Sequence, residues 1–172
     1  MSSPPATPRS AAVIAVAGWA VPGLGYWLIG ERGRGVLAGV TIVLTFVYGV
    51  LVGGVRVVDV PGYRPPPVSA VRGAEDSSGG VSGTWHFQEN PTGEIINKPW
   101  YIAQALAGPV NVVASVASVA AAERGVRPST ARTFDIGTLY TAVAGMLNLL
   151  VIMDSVYLGS RRAAASRQTE FA

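Results

Sequence analysis

Charged residues are absent from four long windows of this chain, and that segregation limits the folds open to it. The windows are residues 10–30, 35–55, 99–122 and 136–153. Each approaches the ~20 apolar residues that a helix needs to cross a bilayer. Inside lipid the backbone must satisfy its own hydrogen bonds, and a helix does so within one segment. The sequence therefore predicts an all-α integral membrane protein with about four transmembrane helices.

The composition also favours a membrane environment. Apolar residues make up 49% of the chain, charged residues make up 13%, and the mean hydropathy is +0.38. The net charge of +3 comes from arginines that flank the windows and not from a basic face, so we expect no nucleic acid partner. The expected partners are the lipid bilayer and either other membrane protein subunits or a second copy. The absence of cysteine excludes a disulfide framework and a cysteine nucleophile.

The windows and the stretches between them divide the chain into five segments. In order, these are a disordered tail (1–10), a transmembrane helical hairpin (11–55), an extramembrane loop (56–98), two further membrane helices (99–160) and a polar C-terminal tail (161–172).

Prolines and glycines indicate where the predicted helices are interrupted. Pro22 predicts a kink or an early end near Val21 in a first helix that runs from about residue 11 to 29. The third window contains Gly108-Pro109 and is only modestly hydrophobic, so a re-entrant or tilted segment is the alternative to a full crossing there. Asp135 is placed to cap the last helix, over residues 136–158.

The loop of residues 56–98 has too few apolar groups to form a core of its own. Residues 84–88 and 94–97 flank the turn-like sequence of residues 90–93, which predicts a short β-hairpin. His86 is the only histidine, and a metal site built from it with Glu89 and Glu94 is not expected in a flexible loop. We therefore predict no catalytic residues, no cofactor and no metal, and a protein that is not an enzyme.

Small residues form stripes that predict close helix packing. The stripe on the second helix contains Gly35, Gly39, Gly49 and Gly53, and such stripes let membrane helices approach closely. The first helix carries a matching stripe, and we expect the two to pack together. The predicted packing or interaction residues are Gly18, Pro22, Gly23, Gly25, Gly30, Gly35, Gly39, Gly49, Gly53 and Gly145.

Polar residues form one face on each of the last two predicted helices. Hydrogen bonds between these faces would explain them, and a polar transport path is the alternative. Asp154 is the one acid inside a hydrophobic stretch, where an ionisable residue is a functional candidate. Pairing with Arg161 or Arg162 near the interface is the structural alternative for this residue. The candidate intramembrane polar site consists of Asn111, Asn148 and Asp154.

Two motifs carry a family resemblance. Residues 22–30, followed after four residues by Gly35, resemble the corner of the two-transmembrane-helix hairpin domain, although Leu24 to Trp27 replace the His, Arg and Phe often found there. Residues 135–154 are similar to the C-terminal signature of an uncharacterised bacterial family of small multi-pass membrane proteins, known mainly from planctomycete-type genomes. The resemblance implies a topology and no activity.

The expected function is that of a scaffold, accessory or assembly subunit in the bacterial inner membrane, acting through its glycine-rich helix faces. The alternative is a small transporter or channel component that uses Asp154, Asn148 and Asn111. With four crossings, the lysines and arginines divide eight to five in favour of the side that holds both termini and the 56–98 loop, which predicts cytoplasmic termini.

Overall fold

The computed structural model describes residues 10–58, 60–61, 63–64, 84–85, 98–124, 126 and 129–170. Helices dominate this part of the chain, as the predicted fold class requires. In order they are α1 (Ala11–Ala20), α2 (Leu24–Leu28), α3 (Arg32–Gly53), a 3-10 turn (Val55–Val57), α4 (Pro99–Ala105), α5 (Pro109–Glu123) and α6 (Ala131–Glu170).

Two of the described helices are long and apolar enough to cross a membrane. They are α3 and the Arg132–Ser166 part of α6. At 1.5 Å per residue, the 22 residues of α3 span about 33 Å, close to the ~30 Å hydrocarbon thickness of a bilayer. The 10 residues of α1 span only about 15 Å. The predicted total of four transmembrane helices is therefore not confirmed.

The first apolar window folds back on itself. Helix α1 ends at Ala20, because Pro22 has no backbone donor with which to continue it. Gly23 then adopts a φ of 86°, a left-handed conformation that reverses the chain into α2. Ile14 of α1 and Ile29 just after α2 both contact Gly159, so the window begins and ends at one level of α6. The predicted early end near Val21 is confirmed, whereas a first helix that continues to residue 29 is not.

The third window also reverses, which favours the re-entrant alternative. Gly108 has a φ of 81° and separates α4 from α5. Gln104 of α4 bonds Thr141 of α6, and Leu106 just beyond it bonds Asn148, so α4 runs in the same direction as α6. Helix α5 then runs back in the opposite direction. The evidence is that Ser118 of α5 donates a 2.8 Å hydrogen bond to the carbonyl oxygen of Val58, which follows α3.

Helices α3 and α6 pack antiparallel along most of α3. A β-carbon on Gly49 would lie 2.8 Å from Thr141 Cγ2, and one on Gly137 would lie 2.6 Å from Gly53 Cα. The buried apolar core between the elements consists of Ile42, Phe46, Val58, Ala107 and Ala144.

These contacts place the ends of the elements at two levels. Ser10, Glu31 and the C-terminal part of α6 lie at one end, and the residues after Gly53 lie at the other with Lys98, which bonds the carbonyl oxygen of Val60. The described ends of the 56–98 loop, at Val58 and Lys98, therefore lie at the end of the molecule opposite to Ser10. This arrangement follows from the reversal at Pro22-Gly23.

One local prediction lies outside the described residues, and another is wrong. Strand β1 (Tyr63–Arg64) pairs antiparallel with β2 (Thr84–Trp85), with Tyr63 opposite Trp85. The predicted partner of residues 84–88 was 94–97, which lies outside the described residues, as do His86, Glu89 and Glu94. Asp135 lies inside α6 and does not cap it, because the helix begins at Ala131.

Candidate functional site

Helix α6 presents one small and polar face to the rest of the protein. Thr141, Asn148 and Ser155 are buried and stand seven residues apart, so they lie on the same side of the helix. The glycines on this side are Gly137, Gly145 and Gly159. This face lies against α3 at Gly137 and Thr141, and the two helical hairpins, α1–α2 and α4–α5, also pack on it.

The two hairpins cover different halves of that face. The α4–α5 hairpin covers the level of Thr141 to Asn148, through the bonds of Gln104 and Leu106. The α1–α2 hairpin covers the level of Ile152 to Gly159, because Gly18 lies against Ile152 and Ile14 lies against Gly159. The hairpins therefore enter from opposite ends of the molecule.

The tips of the hairpins meet beside α6. Trp19 Nε1 donates a 3.1 Å hydrogen bond to the carbonyl oxygen of Ala105. A β-carbon on Gly108 would overlap the carbonyl oxygen of Trp19, so only glycine fits this contact. We call this region the hairpin junction, and it comprises Trp19, residues 105–108, Asn111 and Asn148.

Side-chain amides connect the α4–α5 hairpin to its neighbours. Gln104 Nε2 lies 2.8 Å from Thr141 Oγ1 and 3.4 Å from the carbonyl oxygen of Val57. Asn148 Nδ2 donates a 2.9 Å hydrogen bond to the carbonyl oxygen of Leu106. The backbone N–H of Asn111 donates to the carbonyl oxygen of Gly108 at 3.0 Å.

Two amide oxygens of the junction have no donor. Within the described part of the chain, neither Asn111 Oδ1 nor Asn148 Oδ1 accepts a hydrogen bond. Their residues are 1% and 0% exposed. A buried polar atom without a partner costs about 1–3 kcal/mol, so each oxygen has a strong tendency to bind a donor. These are two of the three predicted polar-site residues.

Asp154, the third of those residues, lies apart from the junction. The hydroxyl of Tyr26 donates to its carboxylate, and Arg34 Nη2 lies 3.2 Å from the same oxygen. Its partner is thus Arg34 and not Arg161 or Arg162. Arg162 instead bonds Glu31 and the carbonyl oxygen of Ile29, because α2 and the start of α3 lie over this part of α6.

The Asp154 cluster holds three helices together at one end of the molecule. Tyr26 belongs to α2, Arg34 to α3 and Asp154 to α6, and the Arg34 guanidinium lies 5.0 Å from the centroid of the Tyr26 ring. The side chains of Arg34 and Asp154 are 54% and 42% exposed. Through these contacts the carboxylate links the α1–α2 hairpin to the two long helices.

The predicted glycine stripes do not pack as one pair. Gly18 and Gly25 of the first stripe lie against Ile152 and Ser155 of α6. Gly35 and Gly39 lie against the Pro22-Gly23 turn, Gly49 and Gly53 lie against α6, and Gly145 lies against Ala103 of α4. Gly30 has a φ of 90° and lies in the turn before α3. The two stripes were expected to pack together. They do so where Pro22 contacts Gly39, whereas the hairpin reversal directs Gly18 and Gly25 onto α6.

Sequence reasoning missed the roles of Trp19 and Tyr26. No pattern in the sequence indicated that the hydroxyl of Tyr26 would bond Asp154. The polar face that was predicted for the last helix contains Thr141, Asn148 and Ser155, and all three are buried in the structure. In the described ranges, no group of three His, Asp or Glu residues is placed to hold a metal ion.

Comparison with known proteins identifies the family without adding an activity. No curated protein and no solved structure matches this chain. One family model does match, and it covers residues 13–169. The predicted membership of an uncharacterised family is confirmed, while the planctomycete-type origin and the likeness to the two-transmembrane-helix hairpin domain stay predictions. The chain belongs to the family of unknown function (DUF6677).

Proposed function

We propose that this protein is a multi-pass integral membrane protein that acts as a non-catalytic assembly or accessory subunit. The observation that supports this proposal is that apolar side chains are exposed and polar side chains are buried. Leu37 and Leu51 of α3 are 72% and 77% exposed, whereas Gln104, Thr141 and Asn148 are buried. A protein in water has the opposite preference, and contiguous exposed apolar surface marks contact with lipid or with another protein.

A groove beside the α1–α2 turn supports a protein partner. Because this hairpin covers only part of α3, it leaves an apolar space of about 610 Å³ next to Val40, Val43 and Leu44. Val21 and Pro22 at the tip of the hairpin also line it. The groove suits a helix of another membrane subunit or of a second copy, packed through apolar side chains.

The contact between chains differs from the one that the sequence favoured. Gly35, Gly39, Gly49 and Gly53 already contact other parts of the same chain. The glycine faces therefore stabilise the fold of one protomer, and in this proposal the exposed apolar side chains bind the partner.

The test compares bulky substitutions inside and outside the groove. Val43→Trp and Leu44→Trp should fill the groove and abolish co-purification of the partner in mild detergent, measured by mass spectrometry. Leu150→Trp is the matched control, because Leu150 is exposed on α6 and does not line the groove. A complex that persists in both groove variants would contradict the proposal, as would a strictly monomeric protein.

A small transporter or channel component is the second candidate. The observation in its favour is the hairpin junction, because transporters often bind their substrates at the tips of broken helices near the membrane midplane. Asn111 and Asn148 would contact the solute, and Asp154 would not, because it is paired with Arg34. Flux into proteoliposomes that Asn148→Leu abolishes and Leu150→Ala preserves would favour transport over assembly.

A further inference from the structure

We propose that a surface groove between α3 and α6 binds one anionic phospholipid, with an acyl chain in the groove and the phosphate on Arg34. The groove has a volume of about 340 Å³, and Arg34 lies at one end of it. Its apolar lining residues are Leu37, Ala38, Ile42, Leu147 and Val151. The inference rests on the membrane setting of the proposed function, but it does not depend on the assembly role.

The groove lies between two contacts that join α3 to α6. Arg34 pairs with Asp154 at one end. The rings of Tyr48 and Tyr140 meet edge to face at the other end, with their centroids 4.9 Å apart. Thr41 lines the groove and stands seven residues from both Arg34 and Tyr48, so the three residues share one side of α3. The groove is therefore a limited segment of the α3–α6 interface.

The length of the groove fits one leaflet of a bilayer. Arg34 and Ile42 are eight residues apart, or about 12 Å along α3. One leaflet supplies about 15 Å of hydrocarbon, which is half of the ~30 Å core. An acyl chain of one leaflet matches this depth. A partner helix would need a contact that continues along the membrane span, whereas the ring pair of Tyr48 and Tyr140 interrupts the groove.

The walls of the groove suit a hydrocarbon chain. Leu37 is 72% exposed, and Ile42 is 2% exposed at the inner side of the groove. The small side chain of Ala38 leaves space between them. The hydroxyl of Thr41 donates to the carbonyl oxygen of Leu37 at 2.8 Å, so it is satisfied within α3 and requires no polar ligand.

The end of the molecule at which the groove begins carries a positive charge. Among the side chains that the structure describes, more arginines than acids lie there. The arginines are Arg32, Arg34, Arg161 and Arg162, and the acids are Glu31 and Asp154. Basic sites between membrane helices at the interface are the ones that hold anionic lipid headgroups. The charge therefore favours an anionic lipid over a neutral one.

The guanidinium of Arg34 has donors available for a phosphate. A guanidinium presents several N–H groups in a planar fork, which matches phosphate bidentately. In the described part of the chain, the hydrogen bond of Arg34 is made by Nη2, to the carboxylate of Asp154 at 3.2 Å. The side chain is 54% exposed, and its guanidinium lies 5.0 Å from the centroid of the Tyr26 ring. Asp154 and Tyr26 thus position the guanidinium at the end of the groove.

The test measures lipid binding by native mass spectrometry of the detergent-solubilised protein. The protein is titrated with phosphatidylglycerol or with phosphatidylcholine that carries identical acyl chains. Phosphatidylglycerol should bind saturably and more tightly, because the choline cation offsets the phosphate charge. Arg34→Gln should weaken its binding about tenfold, the loss expected for a charge-assisted hydrogen bond. Arg132→Gln, which removes the same charge at the opposite end of α6, should leave binding unchanged.

A second pair of variants tests the groove itself. Ala38→Trp should fill the groove and abolish binding of both lipids. Met153→Trp is the matched control and should preserve binding, because Met153 is exposed on α6 and does not line the groove. Release of a protein partner and not of lipid by Ala38→Trp would assign the groove to another subunit and contradict the proposal.

Asp154→Asn distinguishes lipid binding from a purely structural role of the ion pair. It breaks the same pair as Arg34→Gln, but it keeps the guanidinium and removes a competing anion. Phosphatidylglycerol binding should therefore be preserved or strengthened in Asp154→Asn. This comparison keeps the test valid if Ala38→Trp does not fold.

Three results would overturn the proposal: equal binding of the two lipids, binding that survives Ala38→Trp, and equal weakening by Arg34→Gln and Asp154→Asn. Val43→Trp, which tests the assembly role, should leave lipid binding intact, so either proposal can fail alone. Recovery of the protein from aqueous lysate without detergent would instead refute the membrane setting on which both proposals rest.

Discussion

At the scale of single residues, the helices pack closely at glycines where a larger side chain would not fit. A β-carbon on Gly145 would overlap the carbonyl oxygen of Ala103, whereas one on Gly33 would meet nothing within 4 Å. Both glycines lie in helices, so alanine has the better helix propensity at both positions. Alanine substitutions at these two positions therefore distinguish the effect of packing from the effect of helix propensity.

Gly145→Ala should lower the free energy of unfolding by about 1–3 kcal/mol, because backbone atoms must move to admit the methyl group. Gly33→Ala should leave it unchanged or raise it by up to about 1 kcal/mol. Unfolding of both variants in mixed detergent and sodium dodecyl sulfate micelles measures the difference. Equal stabilities would show that α4 does not pack on α6 as described.

The partner of Asp154 can be identified by a double-mutant cycle. Arg34→Gln and Asp154→Asn should show a coupling energy of roughly 0.2–1 kcal/mol, the range for pairs that are this exposed. Arg161→Gln is the matched control and should not couple to Asp154→Asn, because Arg161 lies 5.8 Å from the Tyr157 ring centroid. Coupling to Arg161 and not to Arg34 would restore the pairing that sequence reasoning favoured.

At the scale of elements, hydropathy predicted where apolar helices lie but not their direction. The window of residues 10–30 has the length and composition of one crossing helix, and it forms two short helices. Pro22 predicted the interruption of the first window, and Gly108-Pro109 predicted the interruption of the third. Whether the chain continues or reverses after such a break depends on one backbone angle, here the positive φ of Gly23 and of Gly108. A glycine in a sequence permits that angle without requiring it, so the junction between the hairpins could not be predicted.

Cross-linking tests the reversal directly, because the chain has no cysteine of its own. Ile14→Cys with Gly159→Cys, and Ile29→Cys with Gly159→Cys, should both form disulfides under mild oxidation. In one continuous helix Ile14 and Ile29 would lie about 22 Å apart and could not both reach Gly159. Ile14→Cys with Thr141→Cys is the control that should stay reduced. Cross-linking of only one of the first two pairs would rule out the hairpin.

At the scale of the whole molecule, the charge argument for sidedness changes with the topology. The reversal of the first window moves Arg32 and Arg34 to the end that holds both termini, and the 56–98 loop moves to the other end. Among the residues that the structure describes, the lysines and arginines then divide five to five between the two ends. This division no longer favours cytoplasmic termini, because the positive-inside rule needs a clear excess on one side. What remains is the arrangement of buried polar and exposed apolar side chains, which a lipid environment explains.

Labelling of single cysteines in intact cells and in inverted vesicles tests this account most directly. With a membrane-impermeant maleimide, Ser10→Cys and Gly33→Cys should react from the same face of the membrane, and Val126→Cys should react from the opposite face. Leu44→Cys, in the middle of α3, should react from neither. Reaction of Ser10→Cys and Gly33→Cys from opposite faces would contradict the hairpin reversal, and ready labelling of Leu44→Cys would contradict the lipid-embedded fold.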